Sequence, residues 1–223
     1  MKSVITADII NYSGLTSRQG DLVLGRVHAL FDTLGSLRNN MDDRFSIRRG
    51  DNIQMELSVP GEALRVALLL RSAINSIVPG HRQGKRIPTL QVRIAIGIGG
   101  VTAERSSVDE SAGEAYTLSG RLLDRMKENK RYLAIRTGDE NINRELDTEC
   151  RLLEVILSNW QVSSAEVIYW TLLGYTEKKT AEKLGISQPA VNQRKKNAGW
   201  FAIEGMLERF EELTDILGKK SKK

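Results

Sequence analysis

The chain has 223 residues, which is comfortable for two domains because domains cluster at about 100 to 150 residues. With 40% hydrophobic residues and well-spread charge, each domain can bury a core, which argues against disorder. No stretch approaches the length of a membrane span, and Met1–Asn11 lacks a secretory cleavage signal, so we expect no membrane partner. The single cysteine, Cys150, cannot form an internal disulfide, which favours a cytoplasmic protein and a buried thiol.

Strand and helix patterns alternate through residues 1–140. Strands are predicted at Ser3–Ile10, Phe45–Arg49, Ile53–Val59, Leu90–Ile98 and Tyr132–Ile135. Helices are predicted from Gln19 to Leu37, at Glu62–Ile77 and at Gly113–Lys127. The early hairpin makes the sheet mixed, so this order predicts an α/β sandwich of the ferredoxin type.

The β signal disappears after Gly138. Residues from Ile142 to Leu217 form short helical patterns separated by Gly, Ser or Asn. We therefore predict an α/β domain over residues 1–140 and an all-α domain over 141–223.

A helix-turn-helix pattern lies inside this helical region. Val162 begins a helix that Gly174 ends, and Thr176 can cap a second helix that reaches Leu184. Gly185 suits the turn, and Ser187 can cap a third helix with Pro189 in its first turn. The spacing of Ala181, Gly185 and Val191, together with these caps, predicts a tight two-helix unit against a flanking helix.

The third helix, predicted at Gln188–Asn197, is polar and basic. Asn and Gln side chains pair with adenine in the major groove, while Arg and Lys hold phosphates. Between positions 178 and 196 the only acidic residue among these basic ones is Glu182. The sequence therefore predicts binding of double-stranded DNA through Lys178, Lys179, Gln188, Asn192, Gln193, Arg194, Lys195 and Lys196.

Three fragments of this region, 165–169, 181–188 and 191–200, resemble the DNA-binding part of extracytoplasmic-type sigma factors. They are more similar to the helix-turn-helix of the bacterial SatD-like family. The promoter-melting helices of a sigma factor have no counterpart here, so the resemblance implies a transcriptional regulator. A homodimer is expected as well, because one helix-turn-helix reads few bases.

Two aspartates predict a different chemistry in the first domain. Asp8 lies near the end of the first strand, and Asp51 lies in the turn of the hairpin. If the fold brings these carboxylates together, they can hold Mg²⁺ or Mn²⁺ against a nucleotide phosphate. Asp51 also suits an ordinary Gly-Asp-Asn turn, so both interpretations stay open.

The order of elements and the fragments 6–10, 49–54, 93–99 and 113–122 resemble class III nucleotidyl cyclases, and again the SatD-like family. The resemblance implies a cyclase-like sandwich with Asp8 and Asp51 as the metal pair. It also places Arg121 as an arginine acting on the transition state across a homodimer interface. Thr117 lies where those cyclases have an asparagine, and Ile47 where they have a purine-reading lysine, so the implied site is degenerate.

The sequence favours the first of three functions. The first is a DNA-binding regulator whose cyclase-like domain senses a ligand or forms the dimer. The second is an active metal-dependent nucleotidyl cyclase whose helical region serves assembly. The third is a protein-interaction adaptor without chemistry.

Overall fold

A computed structural model describes residues 1–38, 41–48, 50–78, 90–103, 108 and 111–220. Its main sheet has five strands in the order β2-β3-β1-β4-β7. Their bounds are β1 Lys2–Ile9, β2 Arg44–Arg48, β3 Asn52–Leu57, β4 Val92–Gly99 and β7 Leu133–Arg136. The pairs are antiparallel except for β4 with β7, so the predicted mixed sheet is confirmed.

A second, two-stranded sheet pairs β5 (Val101–Ala103) with β6 (Ala112–Gly113), and the sequence did not predict it. Strands of three and two residues are too short to show the sustained alternation that identifies a strand. Pro79-Gly80, which follow the predicted helix Glu62–Ile77, and Arg49, the last residue of a predicted strand, lie outside the described residues.

Eight α-helices are described. Six correspond to helices predicted individually, and the other two, of 19 and 21 residues in the C-terminal region, are longer than the short helical patterns predicted there. The eight helices are α1 Ser17–Leu37, α2 Ala63–Asn75, α3 Glu114–Glu128, α4 Glu140–Ser158, α5 Val162–Leu172, α6 Glu177–Leu184, α7 Gln188–Asn197 and α8 Trp200–Lys220. Helix α1 begins two residues before the predicted Gln19, because Thr16 and Gln19 form a reciprocal capping box. Helix α2 begins at Ala63, since Pro60–Glu62 forms a 3-10 turn.

The two faces of the sheet carry different helices. Along β1, the odd-numbered Ile5, Ala7 and Ile9 are buried in the core that contains residues of α1 and α2. On the opposite face Thr6 donates a hydrogen bond to Ser119 of α3 at 2.9 Å. Because successive side chains of a strand leave on opposite faces, the sheet lies between α1 and α2 on one side and α3 on the other.

A single apolar core continues across the predicted domain boundary. Every residue of α2 except Arg65 is buried, because the helix packs against the sheet and is also covered by α5. The core cluster that contains Ile5 of β1 also contains Cys150, Ile168 and Phe210 of the C-terminal helices. Cys150 is fully buried, as predicted, and burial raises the pKa of its thiol. The division at residues 140 and 141 stays a prediction, with a shared core across it.

Within the described ranges, none of the helices combines the length and the apolar character that crossing a bilayer requires.

Candidate nucleic-acid interface

Helices α5, α6 and α7 pack around a small core of their own. Val167 of α5, Ala181 of α6 and Val191 of α7 form this core, and Leu184 and Ile186 pack against it. Ala181 has only a methyl group, so it lets α6 approach its neighbours closely. Ala181 and Val191, two of the residues singled out in the sequence, are therefore among those that join the three helices.

The caps predicted for the second and third helices are confirmed. The side chain of Thr176 accepts a hydrogen bond from the amide of Lys179, and that of Ser187 accepts one from Ala190. Gly185 ends α6 with a left-handed φ of 64°, which glycine adopts without a steric cost. These local features fix the turn between α6 and α7.

The outer face of α7 carries both amide and basic side chains. Gln188, Gln193 and Lys196 are exposed, and Gln193 donates to Asn197 at 2.9 Å. Lys178 and Lys179 are exposed in the first turn of α6. Five of the eight predicted DNA-contacting residues are thus exposed to solvent.

The other three are half-buried and held by carboxylates. Glu177 accepts hydrogen bonds from Asn192 at 3.3 Å and from Lys195 at 3.2 Å. Partial burial acts to raise the pKa of Glu177, but the bonds from Lys195 and Asn192 outweigh burial and lower it. Arg194 forms an ion pair with Glu166 of α5 at 3.7 Å. Asn192 and Lys195 are therefore less exposed than Gln193 and Lys196, and their role in DNA binding stays a prediction.

The sequence did not point to Glu177, because its role depends on how α6 crosses α7.

Aromatic rings add two further contacts to lysines. The ammonium of Lys183 lies 5.5 Å from the ring centre of Trp170, and that of Lys195 lies 5.7 Å from Trp200. Phe201, next to Trp200 in α8, is 89% exposed.

Asp8, the first member of the predicted metal pair, is bound by cations of the protein. Arg93 lies opposite it on β4 and contacts both carboxylate oxygens at 3.0 Å through Nη1. Lys127 of α3 approaches the same carboxylate to 3.7 Å. The charge of Asp8 is therefore already compensated on the α3 side of the sheet.

Asp51 lies close to the end of β1 through its backbone. Its carbonyl oxygen accepts a hydrogen bond from the amide of Ile9 at 3.1 Å, whereas Asp8 lies opposite Asn52. Asp51 lies in the hairpin turn just before β3, so the strand register alone does not define where its carboxylate lies relative to that of Asp8. Among the described residues, no group of three His, Cys, Asp or Glu side chains is placed to hold a metal ion. A metal ion at Asp8 would have to compete with Arg93 and Lys127, and the metal pair stays a prediction.

Thr117 and Arg121 lie one turn apart on the exposed side of α3. The hydroxyl of Thr117 donates to the carbonyl oxygen of Gly113 in its own helix at 3.1 Å. Neither side chain contacts Asp8, whose partner from α3 is Lys127. Their predicted catalytic roles stay predictions.

Comparisons with known proteins give low similarity. No protein-family model and no curated protein matches the sequence. A solved structure of a bacterial light-regulated adenylyl cyclase is 16% identical over 60% of this chain and 74% of its own, with a TM-score of 0.40. A second structure of such a cyclase is 15% identical over 60% of this chain and 42% of its own, at 0.39.

The active GGEEF domain of a diguanylate cyclase from Vibrio cholerae is 18% identical over 62% of this chain and 83% of its own, also with a TM-score of 0.39. TM-scores this low do not define a family for this chain. The interpretation of its function therefore depends on its own residues.

Proposed function

We propose that the protein is a DNA-binding regulator that contacts double-stranded DNA with the first turn of α6 and the outer face of α7. The observation that carries this proposal is the exposed set Lys178, Lys179, Gln193 and Lys196 on two short helices joined at Gly185. Two helices packed in this way present the second one to a major groove. The amides are suited to base edges, and the lysines to phosphates.

The contacts of Glu177 between α6 and α7 support the same proposal. Its carboxylate holds Asn192 and Lys195 at the side of α7 that faces the start of α6. This contact fixes the orientation of α7, so that the exposed residues keep their positions before DNA arrives. Such preorganisation lowers the entropy lost on binding.

We propose a homodimer, since a two-fold pair doubles the number of bases that are read. The three-helix unit is too small to read a long site alone. The α/β domain is the expected dimer surface, as the resemblance to cyclases implies.

Selection of genomic DNA fragments by the purified protein tests the proposed function. We expect a recurring motif from the wild type and a relaxed motif from Gln193→Ala, because base contacts specify sequence. Asn141→Ala, which changes an exposed amide in the first turn of α4, should leave the motif unchanged. Recovery of random fragments by the wild type would contradict sequence-specific regulation.

A second candidate, a metal-dependent nucleotidyl cyclase, has one observation in its favour. The hydrogen bond from Ile9 to Asp51 brings the hairpin turn to the end of β1, where Asp8 lies. Because Arg93 and Lys127 occupy the carboxylate of Asp8, we expect no turnover of ATP or GTP with Mg²⁺ or Mn²⁺. If the wild type forms a cyclic nucleotide and Asp51→Ala abolishes this activity, the cyclase would replace the DNA-binding regulator as our proposal.

A further inference from the structure

A basic cavity lies at the open edge of the main sheet. Strand β7 is the last strand on this side, with α3 on one face and α4 on the other. Between these helices is a cavity of about 530 Å³, which is within the range that takes a small organic ligand. None of the residues that line it belongs to α5, α6, α7 or α8, so it is separate from the DNA-contacting face.

Five arginines and one carboxylate line the cavity. The carboxylate, Asp147, is shared by Arg131 at 3.0 Å and Arg151 at 3.0 Å. Glu154 binds Arg131 from outside the cavity at 2.8 Å. Burial acts to lower the pKa of Arg131, but its bonds to Asp147 and Glu154 outweigh burial and raise it, so this arginine stays charged.

The three remaining arginines have little or no compensation. Arg125 of α3 and Arg144 of α4 are exposed and make no ion pair within the described ranges. Arg136 reaches Glu140 only at 3.9 Å, and that carboxylate is 77% exposed. Guanidinium groups bind phosphate oxygens in pairs of parallel hydrogen bonds, and each such contact is charge-assisted.

The floor of the cavity is apolar. Leu122 and Met126 of α3 and Ala134 of β7 line it and are almost fully buried. Asn129, exposed at the end of α3, adds an amide at its rim. A flat ring can rest on such a floor while its anionic groups reach the arginines.

From this arrangement we propose that the cavity binds a nucleoside polyphosphate. The phosphates contact Arg125, Arg144 and Arg136, and the base covers the apolar floor. This site differs from the Asp8 and Asp51 pair, because it uses arginines and requires no metal ion.

Isothermal titration calorimetry with the full chain, without DNA, tests the proposal. ATP and GTP are titrated in EDTA, which removes any contribution from a metal-dependent site. We expect binding of both, weaker binding of pyrophosphate and none of adenosine, because charge supplies most of the affinity. The variant Arg125→Ala/Arg144→Ala should raise the Kd at least about tenfold.

A matched control removes two exposed arginines of α1, Arg18→Ala/Arg26→Ala, and should leave the Kd unchanged. No binding of ATP or GTP at millimolar concentration would overturn the proposal, as would an equal loss in both double variants. A third result would also overturn the proposal: the wild type binds no nucleotide, and Arg125→Ala/Arg144→Ala binds DNA more weakly than the wild type. This result would assign the arginines to DNA binding. Since no DNA is present in the titration, its failure leaves the proposed DNA binding unaffected.

Discussion

The indole nitrogen of Trp160 donates a hydrogen bond to the carbonyl oxygen of Ala198 at 3.0 Å, and both residues are buried. Trp160 follows the end of α4, and Ala198 caps the end of α7. This bond joins the predicted DNA-contacting helix to the helix that borders the α/β domain. The orientation of α7 therefore depends on a side chain far from it in sequence.

Replacing Trp160 by Phe keeps an aromatic ring but leaves the carbonyl of Ala198 without this partner. A buried carbonyl that loses its hydrogen bond costs about 1 to 3 kcal/mol, which urea denaturation measures. Trp200→Phe is the control, because its indole donates to Glu204 at the surface. Equal stability of the two variants would show that the Trp160 bond does not hold α7.

Replacing Glu177 by Gln should strengthen DNA binding. The change removes a negative charge beside the lysines proposed to contact phosphates, while the remaining amide oxygen can still accept hydrogen bonds from Asn192 and Lys195. We expect affinity to rise about two- to fivefold, the range of a single exposed charge pair. Fluorescence anisotropy with a labelled duplex measures it, with Glu182→Gln on the same helix as control. A decrease in affinity for Glu177→Gln would show that its role in positioning Asn192 and Lys195 is the larger effect.

The stability of the α/β domain should depend on Glu56 at low pH. Its side chain is buried and accepts hydrogen bonds from Arg44 at 2.7 Å, from Lys2 at 3.0 Å and from Tyr116. Burial acts to raise the pKa of Glu56, but the bonds from Arg44, Tyr116 and Lys2 outweigh it and lower the pKa below the ordinary value of 4.5. A carboxyl with a lowered pKa stabilises the fold above the unfolded value, and this stabilisation is lost as the pH falls through the folded value.

We therefore expect Glu56→Gln to cost about 2 kcal/mol at pH 7, with the difference from wild type shrinking below pH 4.5. Denaturation at a series of pH values measures it. A difference that is the same at pH 3 and pH 7 would contradict the role assigned to the charge.

Glu149 of α4 should have the opposite effect. One of its carboxylate oxygens is buried and has no hydrogen-bond partner within the described part of the chain. Burial and, next, the charge of Glu145 raise its pKa. A carboxyl with a raised pKa favours folding only when protonated, and this contribution is lost as the pH rises through the folded value.

Glu149→Gln should therefore stabilise the protein at pH 7 by about 0.5 kcal/mol and have little effect at pH 3. Thermal denaturation of this variant is compared with that of Glu208→Gln, which changes an exposed carboxyl of α8. A destabilised Glu149→Gln at pH 7 would contradict the electrostatic assignment.

Gly97 of β4 allows α3 to pack on the sheet. A methyl group at this position would collide with the carbonyl oxygen of Ala115 and lie 2.6 Å from the amide of Ser119. Gly97→Ala should cost about 2 kcal/mol or more, because backbone atoms must move. Gly120→Ala, which meets no atom within 4 Å inside α3, should instead stabilise by about 0.5 to 1 kcal/mol. Denaturation curves that rank the variants in the reverse order would contradict this packing.

The elements of the sheet and the caps of α6 and α7 could be predicted because their signals are local. A strand shows a run of apolar residues such as Leu90–Ile98, and a cap needs a residue such as Thr176 beside a helix. The environments of Asp8 and Lys195 could not be predicted. Arg93 faces Asp8 only through the register of β1 with β4, and Glu177 reaches Lys195 only through the packing of α6 on α7. The shared core was missed for the same reason, since composition does not show which helix covers α2.

The salt dependence of DNA affinity tests the central claim most directly. Wild type and Lys195→Ala/Lys196→Ala are compared by fluorescence anisotropy over a series of salt concentrations. The control Lys219→Ala/Lys220→Ala removes two lysines at the far end of α8, about 30 Å along the helix from Trp200. We predict weaker binding by the α7 variant at every salt concentration, with a slope smaller by about one to two, and no such change in the control. Equal affinities and slopes for wild type and the α7 variant would contradict the assignment of α7 to DNA.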